Sequence, residues 1–106
     1  MNIDPGKCFI GGAWVDPVGQ EVLPLLNPSD GTNLCQIARG KSEDIDSAVN
    51  AAQAALAGAW GKATAAERGR VLSTVGRAVL THVDELARLE AMDVGKPLAQ
   101  ARADVL

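Results

Sequence analysis

Aromatic residues are nearly missing from this sequence: Phe9, Trp14 and Trp60 are its only three. Histidine occurs once, at His82, and cysteine twice, at Cys8 and Cys35. No apolar run approaches the roughly 20 residues that a membrane-spanning helix needs, which excludes a span. No basic block is present, and ten basic residues face thirteen acidic ones, which disfavours a nucleic-acid footprint. Met1, Asn2, Ile3, Asp4 and Pro5 lack the basic-then-apolar order of a secretory leader. Two cysteines without a leader point to reduced thiols and a cytoplasmic protein. What remains is an ordinary globular balance over 106 residues, 47% hydrophobic and 22% charged, with net charge −3. That length supports one domain and hardly two. Alanine stands where larger apolar side chains would otherwise be, so the available core is thin.

The chain divides into a β-rich part, residues 1–40, and a helical part, residues 42–106. Cys8–Ile10 and Ala13–Val15 are β-prone runs separated by Gly11-Gly12, a hairpin signal because both turn residues accept positive φ. Glu21–Leu26 is a third run, and Pro24 inside it predicts an edge position, since proline donates no ladder hydrogen bond. Asn27-Pro28-Ser29-Asp30-Gly31 is a dense turn cluster. Leu34–Ala38 reads as a fourth strand. Ser42 is the expected N-cap of a first helix, with Glu43, Asp44 and Asp46 at its positive end. Ile45, Val49, Ala52 and Leu56 recur at helical spacing, and Gly58 ends the pattern. Residues 59–63 form a connector carrying Trp60.

Thr64-Ala65-Ala66-Glu67 reads as a capping box. The helix after it carries a stripe of Leu72, Val75, Val79, Val83 and Leu86, expected to face a core. Gly69 and Gly76 lie on nearly one face of it and would permit close approach of another element. Whether this helix runs unbroken through Thr81-His82 is open, and Asp84 could cap a second helix there. Gly95 ends the pattern, and Pro97 can open a last helix at its first position. Leu98 to Leu106 begins a new amphipathic pattern that the sequence leaves without a stop signal.

Chemistry is sparse. Cys8 and Cys35 fit no zinc or thioredoxin spacing, and each reads as a small hydrophobe on a strand. His82 reads as a solvated or helix-end histidine, with no motif bringing it to either thiol. Gly95-Lys96 lacks the preceding glycine and the following Ser/Thr of a phosphate loop. Glu43-Asp44 and Asp84-Glu85 read as solvated first-turn carboxylates favoured by the helix dipole. From the residues alone no catalytic, cofactor-binding or metal-binding residue is assigned, and the chain is an α+β unit.

Several segments together resemble one family. Phe9-Ile10-Gly11-Gly12-Ala13-Trp14-Val15 is similar to the opening hairpin of NAD(P)-dependent aldehyde dehydrogenases, and Asn27-Pro28-Ser29-Asp30-Gly31 to that family's Asn-Pro-x-x-Gly turn. Asp44-Ile45-Asp46-Ser47-Ala48-Val49 with Ala51-Ala52 resembles its first helix. Thr64-Ala65-Ala66-Glu67-Arg68-Gly69-Arg70-Val71-Leu72 resembles the start of its second. Leu89-Glu90-Ala91-Met92-Asp93-Val94-Gly95-Lys96-Pro97 resembles its Leu-Glu-x-x-Asp-x-Gly-Lys-Pro segment. Each segment alone is weak evidence, but the five occur in the family's order.

The resemblance implies an α/β chain, the N-terminal portion of an aldehyde dehydrogenase-like, Rossmann-type fold. As a lone chain it would be short strands with a hairpin, followed by three or four helices. It implies a parent enzyme that oxidises an aldehyde to a carboxylic acid with NAD or NADP and assembles as a homo-oligomer in the cytoplasm. The family's cofactor glycines, general-base glutamate and nucleophilic cysteine lie beyond the equivalent of Leu106, and Cys8 and Cys35 match none of them. The chain alone is therefore expected to be inactive. Some family members hold a structural monovalent cation, for which Leu25, Leu26 and Asp93 are the nearest positions. Asp93 reads first as a helix-end carboxylate bonding the Val94-Gly95-Lys96 turn. The alternative is a self-standing, non-catalytic helical module that binds a protein through its glycine face.

Overall fold

The computed structural model describes residues 6–106, so the leader reading of Met1 to Pro5 lies outside the described residues. Four strands come first: β1 (Cys8–Ile10), β2 (Ala13–Val15), β3 (Val22–Leu26) and β4 (Asn33–Ala38). Helices α1 (Ser42–Ala57), α2 (Ala59–Lys62), α3 (Ala65–Thr81), α4 (Val83–Val94) and α5 (Leu98–Val105) follow. Four of the helices have at least eight residues, and α2 is a single turn in the expected connector.

The strands form two separate two-stranded sheets, β1 with β2 and β3 with β4. In the first, Cys8 faces Val15, Phe9 faces Trp14 and Ile10 faces Ala13 in antiparallel register. Gly11 and Gly12 turn it at φ of 62° and 84°, both left-handed, as the two-glycine signal predicts. Phe9 and Trp14 pack as a tilted cross-strand pair with ring centroids 5.0 Å apart. The β3–β4 loop is closed from both sides: Asn27 N–H donates to Thr32 O and Gly31 N–H donates to Asn27 O, each at 2.8 Å. Asn27 and Asp30 side chains accept from Ser29 N–H and Thr32 N–H, the local bonding that makes such residues turn formers.

The described chain separates into two compact units. One holds Leu26–Leu34 and Thr64–Leu106. Its core is the α4–α5 contact, where Val83, Ala87 and Ala101 are buried. Alanine at Ala87 and Ala101 lets the two helices approach closely. The other holds residues 6–25 and Cys35–Ala63. There β1 lies on α1, and Phe9 to Gly12 face Ala48, Ala51, Ala52 and Ala55 across an open groove of about 410 Å³.

Several expectations are corrected. The N-cap of α1 is Lys41, not Ser42, because the Asp44 carboxylate reaches back to the Lys41 amide and starts the helix one residue earlier. The helical stripes are not a core: Ile45, Val49, Leu56, Leu72 and Val75 are exposed, and only Val83 of the second stripe is buried. Outside the adjoining helix itself, no described atom lies within 4 Å of where a side chain on Gly69 or Gly76 would begin, so no other described element approaches that glycine face. The open question at Thr81-His82 resolves as a break, with His82 ending α3 and preceding α4 at φ −111° and ψ 18°. Asp84 therefore sits in the first turn of α4 rather than capping it, and accepts from Arg102 Nε at 3.0 Å. Pro97 is the N-cap of α5, one residue before the first helical position.

Candidate functional site

Two nodes of charged side chains lie at helix ends. At the first, Asp44 is 4% exposed. Its Oδ2 accepts from Lys41 N–H at 2.9 Å and its Oδ1 from Val18 N–H at 3.0 Å. The Lys41 bond first, then the Val18 bond, holds this carboxyl below its usual range against the opposing effect of burial. Asp44 thus ties the Pro17–Gln20 turn to the start of α1, and the solvated reading of the Glu43-Asp44 pair fails for Asp44. Beside it Glu21 forms ion pairs with Lys41 and Arg39, the latter at 3.4 Å.

The second node is the α4–α5 junction. Gly95 ends α4 in the left-handed conformation, φ 72°. A Cβ there would stand 2.9 Å from Pro28 Cγ, so the site requires glycine for space as well as for conformation. The Asn27-Pro28 turn and the Gly95-Lys96-Pro97 segment, far apart in sequence, thus meet in space. Lys96 Nζ then bridges the helices, donating to Glu90 Oε1 at 2.5 Å and to Asp104 Oδ2 at 2.7 Å. The bond to Asp104, then that to Glu90, raises the Lys96 pKa, and the Lys96 bond followed by that of Gln100 lowers that of Asp104.

The remaining candidates stay apart from these nodes. Cys8 on β1 and Cys35 on β4 are free and half-buried, on strands as expected. His82 stands at the α3–α4 break with Nδ1 3.2 Å from Glu85 Oε2, a helix-end histidine. Asp93 is exposed, and among the described residues its carboxylate bonds neither Val94, Gly95 nor Lys96. No group of three His, Cys, Asp or Glu side chains among the described residues could hold a metal ion. No described helix is long and apolar enough to cross a membrane.

A dinucleotide needs a helix N-terminus whose amides are free to receive its pyrophosphate. At the starts of α1 and α3 a carboxylate accepts from the N-cap amide, Asp44 from Lys41 N–H and Glu67 from Thr64 N–H, the latter at 2.7 Å. At α3 the Thr64 hydroxyl also accepts from Glu67 N–H at 3.2 Å. A phosphate placed at either would meet a negative charge. Neither of these two helix starts therefore suits a pyrophosphate.

Comparison with known proteins supplies what the geometry does not. The model of the aldehyde dehydrogenase family matches residues 14–106. The chain is 43% identical over 93 residues to the mitochondrial aldehyde dehydrogenase of Rattus norvegicus, covering 86% of this chain but 18% of that protein. Among solved structures, a Burkholderia cenocepacia protein described as an aldehyde dehydrogenase superposes with TM-score 0.92 at 52% identity, over 93% of this chain and 21% of that one. A betaine aldehyde dehydrogenase of Staphylococcus aureus, solved with NAD+, superposes with TM-score 0.90 at 30% identity, over 95% of this chain and 21% of that one. The chain spans about a fifth of these relatives and aligns with them as the strands and helices described above. It belongs to the aldehyde dehydrogenase family.

Proposed function

We propose that this chain is the N-terminal segment, residues 1–106, of an aldehyde dehydrogenase domain that oxidises an aldehyde to a carboxylic acid with NAD+ or NADP+. NAD(P)+ supplies the hydride acceptor in that chemistry, and the groups that bind it and attack the aldehyde belong to the part of the domain outside this segment. The role of residues 1–106 is structural. Asp44 fixes the start of α1, the Thr64–Glu67 box fixes α3, and the Pro28–Gly95 contact with the Lys96 bridge fixes α4 against α5. The parent enzyme is a cytoplasmic homo-oligomer acting on an aldehyde, with no nucleic-acid or membrane partner. The family match over residues 14–106, set beside relatives about five times longer, carries this reading.

Turnover tests it. Purified 106-residue chain mixed with NAD+ or NADP+ and a panel of aliphatic, aromatic and amino aldehydes is expected to form no NADH or NADPH. Aldehyde-dependent formation of either by this chain would overturn the structural role. Reading the coding frame past Leu106 tests the other half: a glycine-rich cofactor loop and a nucleophilic cysteine are expected, and their absence would count against a dehydrogenase parent.

A further inference from the structure

We draw no further inference here: the strongest candidate, the open alanine-lined groove of about 410 Å³ between the β1–β2 turn and α1, is an unpartnered apolar surface, and nothing in the structure shows what covers it.

Discussion

Asp44 and Gly95 are the two residues whose replacement has the clearest physical consequence. The Asp44 carboxyl titrates below its usual range because its ionised form accepts two backbone N–H bonds. A lowered native pKa means that the stability it contributes is present above the ordinary carboxylate range. It is lost as pH falls through the lowered value. The amide proton shifts of Val18 and Lys41, followed by NMR from neutral to acid pH, are expected to move together at that lowered pKa. In Asp44→Asn that joint step should vanish; its persistence in the variant would show another group to be responsible. At Gly95, alanine meets both the left-handed backbone and Pro28, whereas asparagine tolerates the backbone but still crowds Pro28. Each conflict costs on the order of 1–3 kcal/mol. Limited proteolysis should therefore cut Gly95→Ala fastest at the α4–α5 junction, Gly95→Asn at an intermediate rate and the parent chain slowest. Equal rates for both variants would place the whole cost in Pro28 crowding.

Among the elements, the segments governed by neighbouring residues were legible in the sequence. The Gly11-Gly12 hairpin and the Thr64–Glu67 box depend on atoms at most a few positions away, the stop at Gly95 is marked by its own left-handed glycine, and all three form as read. The start of α1 was not, because its cap depends on a carboxylate that also serves Val18, remote in sequence. Ser42 has the better local cap chemistry, and Asp44 displaces it by gaining a second donor. The break at His82 was undecidable because Thr81, His82 and Val83 have no strong local preference, and the new helix that follows buries Val83 and Ala87. No catalytic constellation was legible, because the chain's single histidine and two cysteines fit no motif spacing and the chain spans only about a fifth of its relatives. Thr64→Ala tests the locally encoded kind of stability. Loss of a threonine N-cap costs about 1 kcal/mol, so amide exchange at Glu67 and Arg68 should quicken by roughly fivefold. Exchange at Ala101 in α5 should be unchanged. Gly61 sets a different local limit, because a side chain there would collide with the backbone carbonyl of Leu56 and force the backbone to shift.

For the molecule as a whole, the decisive feature is how little is buried. Among the described residues the buried apolar side chains are Val83, Ala87 and Ala101, while Leu56, Leu72, Leu80 and Trp14 stand half or more exposed. So few fully buried apolar side chains leave little to offset the conformational entropy that a cooperative fold must overcome. The purified chain is expected to bind ANS and to lose helicity over a broad thermal range rather than in one sharp step. A sharp two-state transition without dye binding would favour the self-standing module instead. Replacing Leu72 and Val75 of α3 by glutamate should lower dye binding while leaving helicity intact, because those side chains touch little in this chain. A collapse of helicity in that double variant would show that the α3 face is packed after all.

The meeting of Pro28 with Gly95 also sets an order in time. The Asn-Pro turn leaves the ribosome early, and its glycine partner follows only after α1, α3 and α4 have been made. At roughly 5–20 residues per second the turn waits several seconds for the residue it packs against. During that interval the turn is held by its own local bonds, those of Asn27 and Asp30, and by the β3–β4 pairing that flanks it. The side-chain bonds at 27–31 thus shape the turn without help from Gly95.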